Sequence, residues 1–194
     1  MQMESMSRTH VNGDVERWTP DASAPLWSPD ESSEGDGPFF HELDLEHAHQ
    51  VGPTCVPTTL AILARATGAD VRPEDFMGVI NSQAPHTWSE ALAPYGMQLA
   101  YCNTDHRRLE YYIDELVELD DLFLVCFYSY DPPSDPDFTG RLCTSHIVTM
   151  HRDRIYDTAP PCARGVCSAR DYGRIHRQTK RIFRVVPVGH PRMV

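Results

Sequence analysis

A cysteine in the segment HQVGPTCVPTTLAIL stands where a helix is predicted to begin. Cys55 follows a Gly-Pro-Thr turn, and apolar residues recur at helical spacing from Val56 to Leu63. Pro57 fits a helix only in the first turn, where its missing N–H would have had no partner. The pattern therefore predicts a helix over about residues 54–67, with the cysteine in its first turn.

A cysteine in this position is suited to nucleophilic chemistry. The free N–H groups and the dipole of a helix N-terminus favour the thiolate. They contribute only about 0.3–1 kcal/mol at a surface. A nearby histidine must therefore supply the rest of the activation by forming a thiolate–imidazolium pair.

The histidine candidate is His146 in the segment SHIVTMHRDRIYDTAP, which predicts a β-hairpin. A two-residue loop at Arg152-Asp153 would place His146 and Asp157 on one face as diagonal neighbours, where the carboxylate could orient the imidazole. A slip of one residue would put them on opposite faces. A core histidine without a catalytic role is the alternative interpretation of His146.

Gln50 stands five residues before Cys55, across a Gly-Pro turn. Acyl transfer needs donors aimed at the developing oxyanion, and a side-chain amide together with the cysteine N–H can supply them. Gln50 is therefore the candidate oxyanion donor. The alternative is a loop glutamine with no special role.

The order Gln, Cys, His, Asp in these two segments resembles that of the papain-like cysteine peptidases, closest to the compact bacterial double-glycine leader (bacteriocin-processing) peptidases. The resemblance covers roughly residues 45–160. It implies a catalytic triad of Cys55, His146 and Asp157, with Gln50 in the oxyanion hole. It also implies an α+β fold with the nucleophile at the start of a central helix packed on a mostly antiparallel sheet.

The rest of the chain predicts the same α+β class, with helices first and strands afterwards. Thr87 is the expected N-cap of the third helix. Further helices are predicted over residues 72–83, 87–96 and 105–120. Strands are predicted over 97–102, 122–130, 145–152, 154–159 and 181–188.

Composition predicts one domain over residues 38–194, preceded by an acidic arm rich in Pro, Ser and Gly over residues 1–37. The chain carries a net charge of −11, yet residues 158–194 carry +7. That basic segment could pair within the chain or bind an acidic partner. The acidic total and the lack of a nucleic-acid motif argue against nucleic-acid binding.

The sequence has no long apolar run and no signal-peptide pattern, which predicts a cytoplasmic protein with no membrane span. Six cysteines are too few for a disulfide scaffold, so reduced thiols are expected. Cys162 and Cys167, with His151 or His176, could form a zinc site, but the spacing is irregular. No metal and no cofactor is predicted.

The resulting hypothesis is a cysteine-dependent hydrolase, a peptidase that acts on a protein or peptide through a thioester. The same parts serve a transpeptidase, a transglutaminase or an acyltransferase. A catalytically silent partner-binding module is the second hypothesis, favoured by Val56 and Gln50, which depart from the family pattern. A small metal-binding structural protein is the third.

Overall fold

The computed structural model describes residues 25–28, 37–102, 104–129, 136–159 and 165–194. Within these ranges the helices are α1 (Cys55–Ala66), α2 (Pro73–Met77), α3 (Pro85–Leu92) and α4 (Ile113–Glu118). The strands are β1 (Met97–Tyr101), β2 (Leu122–Tyr128), β3 (Ser145–His151), β4 (Arg154–Tyr156), β5 (Val166–Ser168) and β6 (Thr179–Pro187). None of the described helices has the length and apolar character needed to cross a lipid bilayer.

The strands form one antiparallel sheet in the order β1-β6-β2-β3-β4-β5. The last strand of the chain is therefore inserted between β1 and β2. Strand β2 is a near-continuous apolar run because both of its faces are covered, and β6 is buried on both faces from Ile182 to Val186. The α+β class predicted from the sequence is confirmed.

Each face of the sheet is covered by its own hydrophobic cluster. On one face, α1 packs with Leu124, Ile147 and Phe183, and α2 and α3 complete the layer. On the other face, α4 packs with Val125 and Val148. Side chains alternate between the two clusters along β2 and β3, as the period of a strand requires.

A short N-terminal segment, Leu26 and Trp27, is buried in the cluster on the α4 face. The backbone N–H of Trp27 donates to Oε1 of Glu115 at 3.3 Å. The guanidinium of Arg192 lies 4.5 Å from the Trp27 ring centroid. This part of the predicted arm therefore lies on the face of the sheet away from Cys55, and residues 1–24 and 29–36 of the arm lie outside the described residues.

The helix predicted over residues 105–120 is shorter than expected. Its first part is a loop followed by a 3₁₀ turn, Leu109–Tyr111. The Tyr112 hydroxyl accepts hydrogen bonds from the backbone N–H of Asp105 and the hydroxyl of Thr104, both at 3.0 Å. These side-chain bonds hold the loop in place of the first helical turns.

Thr87 is not the N-cap of α3, so that prediction is wrong. The helix begins two residues earlier at Pro85, which fits the first position because it needs no N–H partner. The Thr87 hydroxyl instead donates to the carbonyl of Ala84 at 2.7 Å. Gly96, with φ of +79°, ends the following 3₁₀ turn.

Candidate active site

Cys55 is the first residue of α1, as the sequence predicts. The N-cap residue Thr54 makes no side-chain hydrogen bond to the helix, so the amides of the first turn remain open to an acceptor. The turn before it depends on Gly52, whose φ of +62° favours glycine. Pro57 occupies the first turn without loss of a helical hydrogen bond.

The Cys55 thiol is buried, with 7% of the residue exposed. Burial, and then the neighbouring Cys143 thiol, raise the pKa of Cys55 to about 12, although the backbone amides of Ile147, Val56 and Cys55 itself oppose the rise. Desolvation thus outweighs the amides that the helix start and β3 supply. The group is a neutral thiol at neutral pH.

His146 and Asp157 meet across the β3–β4 hairpin, as predicted. Thr149 pairs with Tyr156 and His151 with Arg154, which is the register of a two-residue loop. Nε2 of His146 lies 2.7 Å from Oδ1 of Asp157, and both residues are buried. A buried imidazole and a carboxylate in direct contact form a charge-assisted hydrogen bond.

Asp157 has further partners that the sequence did not indicate. The Tyr172 hydroxyl donates to Oδ2 at 2.6 Å, and the N–H of Ala159 donates to Oδ1 at 2.9 Å. Nε of Arg174 lies 3.3 Å from Oδ2. Burial raises the pKa of Asp157, but the hydrogen bond and charge of His146, followed by the Tyr172 and Ala159 hydrogen bonds, lower it to about 2. The carboxylate is therefore ionised at any physiological pH.

The low pKa of Asp157 predicts a loss of stability in acid. Since the folded pKa lies below the ordinary 3.8, the group stabilises the fold above about pH 4 and this contribution is lost as the pH falls through 2. The shift corresponds to about 2 kcal/mol. We expect the free energy of unfolding, from urea titrations, to fall by about 2 kcal/mol more in wild type than in Asp157→Asn between about pH 5 and pH 2.

The matched control for this experiment is Asp70→Asn, which changes an exposed carboxylate. Its pH dependence should follow that of wild type. Equal slopes for wild type and Asp157→Asn would contradict the assignment of the acid-sensitive contribution to Asp157.

The structure brings Cys55 to the strand of His146 without joining the two side chains. The thiol faces the amide of Ile147, the residue after His146. Ile147 packs with Cys55 on the α1 face, whereas His146 pairs with Phe127, which belongs to the cluster on the other face. Among the described residues no hydrogen bond links the thiol to the imidazole, and Nδ1 of His146 has no partner. Of the two contacts expected in the predicted triad, the His146–Asp157 contact is formed and the Cys55–His146 contact is not.

Gln50 ties the loop before α1 to the residue after Asp157. Its Oε1 accepts from the Thr158 hydroxyl at 2.9 Å, and its backbone N–H donates to the Thr158 carbonyl at 2.8 Å. Its Nε2 donates to the carbonyl of Gly52 at 2.8 Å. The side-chain amide is therefore engaged in the local turn, and the role of Gln50 as an oxyanion donor stays a prediction.

His47 supports the backbone at Asp157. Its Nε2 lies 2.9 Å from the Asp157 carbonyl oxygen. Gly165, with φ of +64°, lies against the His47 ring, and a Cβ there would overlap the imidazole. The sequence showed His47 only as one of several histidines before the cysteine, because its contact is made across more than a hundred residues.

A small pocket of about 20 Å³ lies beside Cys55. Its apolar wall includes Val56, Trp88 and Ile147, and two further thiols, Cys126 and Cys143, also line it. Its polar residues are Ser82, Gln83, Thr144 and Ser145. No described residue that lines the pocket is charged. The pocket therefore has room for one uncharged group of about the size of a water molecule.

The described residues proposed from the sequence for a zinc site, Cys167, His151 and His176, are not brought together. Cys162 lies outside the described residues. Nδ1 of His176 is 2.6 Å from Oε2 of Glu110, and Nε2 of His151 is 3.0 Å from the His41 carbonyl oxygen. In the part of the chain that the structure describes, no three His, Cys, Asp or Glu side chains are arranged to hold a metal ion.

A comparison of the chain with protein-family models, curated proteins and solved structures finds no match in any of the three. The resemblance to papain-like peptidases therefore depends on the motifs of the sequence. The function is argued below from the side chains of the site.

Proposed function

We propose that the chain is a cysteine-dependent hydrolase of papain-like fold, which cleaves a protein or peptide substrate through a thioester. Cys55 is the nucleophile, His146 the general base and then the general acid, and Asp157 holds the imidazole. The observation that carries the proposal is the buried His146–Asp157 hydrogen bond, formed one residue away from the amide that faces the Cys55 thiol.

The orientation of His146 suits this role. Because Nε2 is bonded to Asp157, Nδ1 is the nitrogen left to accept a proton from the thiol. The thiol and Nδ1 are not in contact in the described structure, so the proposal requires the two groups to come together when substrate binds. Catalytic hydrogen bonds are often completed only when substrate binds.

The reaction follows from these positions. As Sγ of Cys55 attacks the substrate carbonyl carbon, its proton passes to Nδ1 of His146. The imidazolium then donates that proton to the leaving amine, and a thioester remains. Water attacks the thioester with His146 again as base, which releases the acid and restores the thiol. Asp157, with its pKa of about 2, stays ionised and stabilises the imidazolium.

An amine can replace water in the second step, so a transpeptidase, transglutaminase or acyltransferase would use the same residues. A different class is favoured by one observation: the Cys55 thiol is buried, neutral and not bonded to His146. A catalytically silent module that binds a protein partner through this cleft is therefore the second candidate.

Alkylation by iodoacetamide at neutral pH separates the two candidates. Cys55 and Cys143 line the same pocket, but Cys143 is the more exposed, so exposure alone predicts that it reacts first. We expect an activated Cys55 to react about tenfold faster than Cys143, because only the thiolate is nucleophilic. Mass spectrometry after limited labelling locates the modified residue.

Cys55→Ala should abolish the fast reaction, and Cys143→Ala should leave it unchanged. If Cys143 reacts first in wild type and Cys55 stays unmodified, the hydrolase proposal is wrong and the silent module is favoured.

A further inference from the structure

Two shallow basins, of about 350 and 460 Å³, adjoin on the surface and share His106. Three tyrosines and three cations mark this area. We call it the basic–tyrosine surface: Tyr101, Tyr111, Tyr128, Arg107, Lys180 and Arg181. None of these residues takes part in the proposed chemistry.

The tyrosines are unusually open to solvent for their size. Tyr111 is 64% exposed, Tyr101 46% and Tyr128 38%. Arg107 lies 5.8 Å from the ring centroid of Tyr111, and Lys180 lies 5.7 Å from that of Tyr128. Exposed tyrosines next to cations are typical of surfaces that bind a partner, because each ring offers contact area at a low cost in conformational entropy.

Arg107 forms an ion pair with Asp105, whereas the charges of Lys180 and Arg181 are not neutralised by any described residue. Among the described residues, neither Lys180 nor Arg181 has a carboxylate within ion-pair distance. Burial, and then the charge of Arg181, lower the pKa of Lys180. Two adjacent cations thus repel each other in a chain whose net charge is −11. An anion bound between them would relieve that repulsion.

The surface continues into the pocket beside Cys55. Arg181 pairs across the sheet with Cys126, and Tyr128 pairs with Ser145. Cys126 and Ser145 both line the Cys55 pocket. The register of β2 with β6 shifts at this point, which leaves Lys180 as the extra residue of a β-bulge. Bulges commonly redirect a side chain beside a functional site.

We propose that the basic–tyrosine surface binds an acidic stretch of the protein substrate while another part of that substrate occupies the Cys55 pocket. That the partner is a substrate rests on the proposed function, whereas the binding itself does not. An acidic peptide fits better than a nucleic acid, because cations already lie against two of the tyrosine rings, which leaves those ring faces less available for stacking with bases.

The test measures binding of a fluorescein-labelled oligoglutamate peptide by fluorescence anisotropy, with Cys55→Ala protein so that turnover plays no part. We expect saturable binding that weakens as salt is raised. The double variant Lys180→Glu/Arg181→Glu should lose about tenfold or more in affinity. The control Arg152→Glu changes an exposed cation at the other end of β3, in the β3–β4 loop, and should stay within about twofold of the parent.

Absence of peptide binding, or equal binding by the double variant, would overturn the inference. Tighter binding of oligothymidylate through Lys180 and Arg181 would overturn it in favour of a nucleic acid. Peptide binding by a protein whose Cys55 proves inert to iodoacetamide would leave the surface as a partner site and reject the hydrolase proposal alone.

Discussion

Replacing Asp121 with alanine is expected to lower the free energy of unfolding by about 3–5 kcal/mol, the cost of leaving a buried charge without its partner. Asp121 and Arg184 are both fully buried, and Nε and Nη2 of Arg184 each lie 2.8 Å from Oδ2. The carboxylate also accepts the backbone N–H groups of Phe39 and Phe40, at 3.0 and 2.8 Å. One side chain thus connects the start of β2, the centre of β6 and the chain before α1.

Urea denaturation followed by circular dichroism measures this effect, and two further variants make the result interpretable. Asp114→Ala removes an exposed partner of Arg170 and should cost less than about 1 kcal/mol. Asp121→Ala/Arg184→Met removes both buried charges and should be more stable than Asp121→Ala alone. If Asp121→Ala proves no less stable than Asp114→Ala, the buried pair does not stabilise the fold.

The elements that the sequence predicted well are those fixed by local signals. Cys55 begins α1 because Pro57 fits only a first turn, and this constraint involves a few neighbouring residues. The β3–β4 register follows from the length of one loop. Even there, the turn contains Arg152 with φ of +58°, a conformation that nothing in an arginine side chain favours.

The predictions that failed were overridden by individual side-chain hydrogen bonds. The segment before α4 has a helical pattern, but Tyr112 holds it as a loop through its hydroxyl. His106, with φ of +63°, lies in that loop in a conformation no helix permits. Hydrophobic periodicity carries no information about such side-chain hydrogen bonds.

In the candidate site, too, the contact within one hairpin was predictable and the contacts between distant parts of the chain were not. The His146–Asp157 contact was predictable because both residues belong to one hairpin. Tyr172 and Arg174 were missed because they reach Asp157 from beyond β5, and no spacing rule connects them to it. The relation of Cys55 to His146 depends on how α1 packs on β3. That packing is a long-range property, and the sequence offered no measure of it.

If the proposed function is right, removing the imidazole of His146 should slow alkylation of Cys55 by iodoacetamide about 10²–10³-fold, within the usual range for loss of a general base. The reason is that the resting thiol, with a pKa of about 12, is neutral at neutral pH, so its reaction there depends on His146 taking the proton during the attack. In His146→Ala the rate should rise with pH toward the ionisation of the thiol, whereas in wild type it should already be substantial at neutral pH. Alkylation quenched at a series of times, analysed by mass spectrometry and repeated over a pH series, measures both profiles.

His146→Gln separates a catalytic imidazole from a structural one. A glutamine amide can still donate a hydrogen bond to Asp157, so the buried carboxylate keeps a partner, but the amide accepts no proton from a thiol. We therefore expect His146→Gln to be more stable than His146→Ala and equally slow in alkylation. The control His176→Ala, at an exposed histidine bonded to Glu110, should react like wild type. Recovery of the wild-type rate in His146→Gln would mean that His146 only supports the fold around Asp157, and the nucleophile would then have no base in the described site.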